Sequence, residues 1–259
     1  MYFSANYKHY SFYKILILVM DIRLNHREDH RFLADYHQVV SVNEGDTISK
    51  LNLSSSNENF ANLNHRDVDA LNGYLNDALR AANAKFLIGG YSEDRNMYRR
   101  SMLFEENLSV STEQLDEPRS LHLGTDIWGN AGTEVYSPLG GMVHSYQNNN
   151  NYGDYGPTII LQHHVGLFTF YTLYGHLAIH DLGTMRVGKF ISRGECFAHF
   201  GDYNENGNWP PHLHFQIIVE IDNWEGDYPG VCKPSEAAKW LANSPDPDLI
   251  LQLNKYAKQ

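Results

Sequence analysis

His212–Glu220 reads HLHFQIIVE, a β-branched and aromatic run closed off on its N-terminal side by Pro211. Such a composition fits a strand packed on a pleated surface. Alternation with period two puts His212 and His214 on one face and Leu213 and Phe215 on the other. Two imidazoles side by side in an apolar strand are costly to bury unless something accepts their lone pairs or pairs with their charge. A metal ion or an active-site hydrogen-bond network resolves that cost.

The same strand grammar extends upstream from about Gly124. Gly140-Gly141 precedes MVHSYQ, and TIILQHH (Thr158–His164) follows a polar loop, Asn148–Gly156. FTFYTLYGHL (Phe168–Leu177) and CFAHF (Cys196–Phe200) are again aromatic and β-branched, with Gly, Asn or Pro in each interval. Short strands at this spacing predict a mainly β protein whose sheet closes into a compact sandwich or barrel. The first hundred residues differ. Residues 42–65 are rich in Ser, Asn and Asp and read as a loop or linker. Val68, Leu71, Leu75, Leu79 and Ala82 then recur at spacings of three and four, which predicts an amphipathic helix near residues 67–84. Asp67 or Asn64 can cap it, and its expected role is to dock on the main domain. Ser235–Ala242 predicts a short helix stopped by Asn243-Ser244-Pro245, and no internal repeat is evident.

The chain has 259 residues, with 20 Lys+Arg against 31 Asp+Glu, a formal charge of -11. That balance disfavours a nucleic-acid partner, which needs clustered cations, and gives no attraction to an anionic surface. Cys196 and Cys232 show no CxxC spacing and are too few for a disulfide framework, so two partly buried thiols are expected. The apolar run Tyr13–Met20 (YKILILVM) is far shorter than the roughly 20 residues a membrane span needs. It ends at Asp21, meets Arg23 and Arg27, and lacks an A-x-A cleavage pattern. A buried strand, or a natural start at Met20, explains it as well as an export signal does; the expectation leans cytoplasmic.

With 14 histidines, a lone one carries little information. His9, His26, His30, His37, His65, His144, His180 and His199 are expected at the surface or in packing roles. Besides His212 and His214, two groups stand out. His122-Leu-Gly-Thr-Asp126 places a histidine and a carboxylate four apart, able to converge on one cation if the segment is helical or strongly turned, and Gly124 provides the backbone freedom for the second case. Taken alone, the pattern fits a solvated histidine and a capping aspartate better. His176 ends an aromatic strand beside Gly175, a position that can line a cleft. The set has complementary stoichiometry. Zinc hydrolases commonly use three protein ligands and an open fourth position, two histidines and a carboxylate supply that shell, and two histidines remain to manage protons.

In this order, the clusters resemble the lysostaphin/LytM family of zinc endopeptidases, many of which cut cross-bridges or stem peptides of bacterial peptidoglycan. The resemblance spans about Leu121 to Glu220: HLGTDIW, then GTEVYSPLGGMV, TIILQHH, LYGHL, VGKFISRGE and finally PHLHF. It implies Zn2+ held by His122, Asp126 and His214, with His176 and His212 as the catalytic histidines. It also implies an antiparallel β-sheet sandwich framing a narrow groove, with a helical N-terminal region and a short C-terminal helix beside it. The expected organisation is an N-terminal region at 1–95, a metallopeptidase domain at 96–232 and a helical tail at 233–259. A peptide is the expected substrate, peptidoglycan first, and the family's members are usually exported to the cell envelope. Tyr174 is either an extra donor or a packing residue, and an Asn amide from the N-terminal loop could fill the open metal position. Residues 147–156 and 201–210 would wall the groove and differ from the short Gly/Ser-rich turns of wall-cutting relatives, which leaves substrate identity open. A hydrolase of small intracellular peptides or amino-acid conjugates, and a non-catalytic metal-binding regulator of the same fold, are the alternatives. An iron oxygenase with two histidines and one carboxylate would need other spacing.

Overall fold

A computed structural model describes residues 36–101, 117–166 and 168–258. The run Tyr13–Met20 and His9, His26 and His30 lie outside the described residues. The strand that opened the sequence reading, β11 (His212–Ile218), is central: all seven of its residues are buried. It is flanked antiparallel by β4 (Thr125–Trp128) and β8 (Phe168–Gly175). Beyond β8 follow β7 (Gly156–Val165), β6 (Gly141–Asn149) and β9 (Phe190–Ile191), and beyond β4 follow β2 (Phe86–Gly89), β1 (Ile48–Lys50) and β13 (Ala257–Lys258). Two short ladders complete the mainly β fold: β5 (Glu134–Tyr136) with β10 (Cys196–His199), and β3 (Leu121–His122) with β12 (Val231–Cys232).

The nine-stranded sheet is antiparallel from β2 to β9, whereas β1 pairs in parallel with both β2 and β13. The period of two predicts strands but not their partners. Here α1 (Glu58–Ala61) and α2 (Val68–Ala82) form the long crossover that a parallel β1–β2 pair requires. Asp67 caps α2, accepting from the N–H groups of Asp69 and Ala70, and Asn83 ends it in the left-handed conformation. Its buried face, Leu71 and Leu75, packs with Leu51, Phe60, Trp128 and Trp209. Each of those leucines contributes about 1.5–3 kcal/mol by leaving water, and the cluster they join backs directly onto the candidate site. At the C-terminal end, a 3-10 turn (Pro234–Glu236) leads into α4 (Ala237–Asn243), over the predicted stretch. A fifth helix, α5 (Asp248–Leu251), adds Ile250 and Leu251 to the main core.

The core lies on the face of β11 that carries Leu213, Phe215 and Ile217, against Ile159, Leu161, Phe170 and Tyr174. Tyr174 is fully buried there, stacked edge-on to Phe197 and Phe215, with its hydroxyl accepting from Thr172. Cys196 is exposed and Cys232 buried, both as free thiols. No helix among the described residues is long and apolar enough to cross a membrane.

His163 sits buried on β7 between the Gly140 carbonyl at 3.0 Å and the Thr172 hydroxyl at 2.7 Å. Burial lowers its pKa from 6.5 to about 4. The unfolded chain therefore takes up this proton near pH 6.5 and the folded chain only near pH 4. The stability concerned is complete above about pH 6.5 and is lost as pH falls through that window, up to about 3 kcal/mol. Urea midpoints at pH 7 and pH 5 are expected to differ less for His163→Gln than for the wild type. An unchanged difference would remove His163 from the account.

Candidate functional site

The side of β11 opposite the core carries His212, His214 and Gln216, and the flanking strands supply their partners by register. Asp126 on β4 lies across from His214, and Trp128 lies across from His212. His122 arrives from β3 through a turn at Leu123-Gly124 rather than along a helix, so its ring reaches the same point as the Asp126 carboxylate. Gly124 is required by close approach. A Cβ there would stand 2.4 Å from the Cε1 atom of His214. His122 Nε2 is 2.9 Å from His214 Nδ1, and Asp126 Oδ1 is 3.4 Å from the former and 3.2 Å from the latter. Each of the three residues is only 2% exposed.

The outer hydrogen bonds determine which nitrogens carry protons. His122 Nδ1 lies 2.9 Å from the carbonyl of Gly90, which can only accept, so Nδ1 donates and Nε2 presents a lone pair. The Gln216 amide nitrogen donates to Pro229 O and Ser244 Oγ, which turns its Oε1 toward His214 Nε2 at 3.0 Å. That nitrogen therefore donates, and His214 Nδ1 also presents a lone pair. Two lone pairs and a carboxylate oxygen thus face one another with no hydrogen between them. Only a proton or a cation relieves that repulsion, and the nitrogen–oxygen donor set suits a borderline divalent ion. Burial holds the His122 imidazole down to a pKa of about 4, which disfavours the proton. Burial works against a charged Asp126, but His122 and Arg95 outweigh it and hold the carboxyl well below its usual range.

Arg95 is the residue that sequence reasoning missed most completely. It follows β2 by six residues, is 1% exposed, and its Nη1 lies 2.5 Å from Asp126 Oδ2. Its Nε pairs with Glu93 at 2.6 Å. With Oδ2 engaged by Arg95, Oδ1 is the oxygen left for the convergence point. Nothing in a single Arg-Asn-Met-Tyr stretch marks it, because the pairing is long-range. Arg95→Met leaves a carboxylate buried without its strongest partner and is expected to cost about 3–5 kcal/mol. Chemical denaturation of metal-free protein measures this, and a cost under about 1 kcal/mol would contradict the pairing.

His176 and His212 stand beside the cluster. The sequence run FTFYTLYGHL predicts strand through Leu177, but β8 ends at Gly175 and His176 takes a left-handed φ of 62°. That turn swings the ring into the cleft, 4.1 Å from the His212 ring centroid. Each Nδ1 donates to a backbone carbonyl, His176 to Asn206 at 2.8 Å and His212 to Pro210 at 2.7 Å. Each Nε2 is left with its lone pair. Burial, reinforced by the neighbouring imidazole, pushes His176 well below its ordinary pKa, and burial lowers His212 to about 4. The ring of Trp128 stacks on His212 at 3.9 Å.

These groups line a cleft of about 450 Å³ that also takes in Tyr98, Asp154, Tyr155 and Trp209. The two loops named as groove walls thus contribute residues 153–155 and Trp209. Tyr155 is set by glycines: a Cβ at Gly175 or Gly230 would collide with its ring. Its hydroxyl lies 3.4 Å from His214 Nε2. From the N-terminal side, the lining consists of Arg95, Met97 and Tyr98, and no asparagine of residues 42–65 is part of it. Asn52 and Asn57 instead bond within their own loop, and Asn57 caps α1. Gln216 was legible after the fact, being two residues beyond His214 on one strand face. Tyr155 and Trp209 carried no signal beyond their place in the loops.

The family model of peptidase family M23 matches residues 120–225. No curated protein sequence matches the chain. Among solved structures, the catalytic domain of the antimicrobial peptidase lysostaphin from Staphylococcus simulans is similar at 22% identity, covering 46% of this chain and 80% of that one with a TM-score of 0.33. A zinc-containing peptidase from Vibrio cholerae is 26% identical over 49% of this chain and 35% of its own, TM-score 0.32. The catalytic domain of a point mutant of the prophage-encoded M23 protein EnpA from Enterococcus faecalis is 15% identical over 51% and 85%, TM-score 0.32. His122, Asp126, His176, His212 and His214 all fall inside residues 120–225, the segment that the model of peptidase family M23 matches.

Proposed function

We propose that the protein is a zinc-dependent metalloendopeptidase, with His122, Asp126 and His214 holding the ion and His176 and His212 serving the reaction. One observation carries this reading. Within a peptidase-family segment, two imidazole lone pairs and a carboxylate oxygen converge at 2.9–3.4 Å with no hydrogen between them. When bound, zinc supplies Lewis acidity and brings a water's pKa from about 15.7 toward 7.

The chain's own residues supply the rest. Arg95 holds Asp126 by Oδ2, so that Oδ1 is the carboxylate oxygen that would serve a bound ion. His176 and His212, neutral and with Nε2 free, accept the proton of the attacking water and return it to the leaving amine. Tyr155, buried with its pKa raised, keeps its proton and can donate to the scissile carbonyl oxygen as charge develops there. Trp128, Trp209 and Tyr98 give the cleft low polarity, which strengthens each of these interactions.

The family resemblance makes peptidoglycan peptides the first substrate to test. Purified chain should release new amino termini from isolated peptidoglycan, chelator should abolish the release, and zinc should restore it. Metal analysis finding iron in place of zinc would overturn the cofactor. Cleavage of soluble peptides alone, with intact peptidoglycan untouched, would move the substrate to the small-peptide class.

A further inference from the structure

We propose that His180, Asp181 and His199 form a second divalent-metal site, outside the cleft, that takes a transition-metal ion such as Zn2+. The residues meet where α3 (Ile179–Leu182) packs against β10. Asp181 is 5% exposed and is oriented by the backbone: its Oδ2 accepts the His199 N–H at 2.7 Å. That bond turns Oδ1 toward His199 Nδ1 at 3.0 Å and His180 Nε2 at 3.2 Å. In a tetrahedral zinc site with bonds of about 2.0–2.1 Å, neighbouring donor atoms stand about 3.3 Å apart. The two spacings to Asp181 approach that value, and the donor atoms of all three residues lie within 4.8 Å of one another.

Hydrogen bonds alone account poorly for the arrangement. The His180 side chain is 69% exposed, and holding an exposed ring against one carboxylate oxygen gains little while costing rotamer freedom. A second set of donors adds to the case. Glu134 lies directly across the β5–β10 ladder from His199, and the irregularity between Cys196 and Ala198 brings Cys196 to the same neighbourhood. One ligand atom each from Glu134, Cys196 and His199 lies within 4.8 Å of the others. The proposed site itself offers two imidazole nitrogens and a carboxylate oxygen, a set that suits a borderline ion better than Mg2+ or Ca2+.

An ion here would brace the segment that carries His176. The Ala178 N–H donates to His199 O at 2.9 Å, and the Gly201 N–H donates to His176 O at 2.8 Å. The site ties α3 to β10 between those two bonds, so loading it should raise the melting temperature.

Tag-free, chelator-stripped full chain titrated with ZnCl2 in a calorimeter tests the proposal. The wild type is expected to take up two equivalents. His180→Ala, which changes an exposed ring, should take up one fewer with peptidase activity unchanged, and His199→Gln should do the same. His214→Ala should retain this second equivalent. Equal stoichiometry in His180→Ala, His199→Gln and wild type overturns the proposal, as does a single wild-type equivalent that His214→Ala removes. A single equivalent lost in His180→Ala but kept in His214→Ala would uphold this site and refute the metal reading of the first.

Discussion

His122→Ala, Asp126→Ala and His214→Ala are each expected to purify with one zinc fewer than the wild type, the ion of the cleft, and without detectable hydrolysis. Removing a residue that merely supports a metal ligand costs about 10–100-fold in affinity, and removing a ligand costs more. The three losses are not alike in the metal-free protein. His122→Ala removes one of two opposed lone pairs and should leave the apo fold as stable as before or more so. Asp126→Ala strands the Arg95 guanidinium, whose Nη1 pairs with that carboxylate, and should destabilise it. His214→Ala leaves Gln216 Oε1 without its donor and lies between these. Inductively coupled plasma mass spectrometry on the variants, with circular dichroism to confirm folding, reads the outcome. A folded His122→Ala or His214→Ala that retains stoichiometric zinc at the cleft would end the ligand assignment.

The strands and the converging histidines were legible because both depend on local regularities. Alternation in HLHFQIIVE gives the face on which His212 and His214 stand, and spacing in residues 68–82 gives α2 with its Asp67 cap. The H-x-x-x-D pair was legible as a spacing, though Gly124 serves it by leaving room for the His214 ring rather than by an unusual backbone angle. What lies beyond such regularities escaped. The parallel edge β13–β1–β2 joins residues more than two hundred positions apart, and no periodicity encodes a partner at that distance. Arg95 contacts Asp126 across 31 positions through a side chain whose type is ordinarily a surface one. Tyr155 depends on space vacated at Gly175 and Gly230, which belong to two other segments. A place near a strand end beside Gly175 points His176 toward a cleft. The left-handed turn that aims it, however, falls on a non-glycine residue, where sequence gives no cue.

His176→Ala and His212→Ala are expected to keep zinc and lose about 10²–10⁴-fold in kcat, the contribution of a positioned general acid or base. Neither ring belongs to the converging donor set, and both hold Nδ1 on a backbone carbonyl with Nε2 facing the cleft. The loss should therefore fall on turnover, with KM changed by only a few fold. A structural role predicts something else. His212 stacks on Trp128 at 3.9 Å, so its truncation could loosen the site and weaken the metal along with the rate. His212→Phe separates the two, because it keeps the stack and abolishes proton transfer. If the stack alone mattered, His212→Phe would recover most of the turnover. The double variant gives a further reading. With ring centroids 4.1 Å apart, the two histidines can act on one water and its proton as a unit. Removing both should then cost little more than removing the more important one, as with other catalytic groups that work together. Losses that multiplied would mean two independent tasks, one at the water and one at the leaving amine. Turnover within a few fold of wild type in both single variants would exclude either histidine from the chemistry.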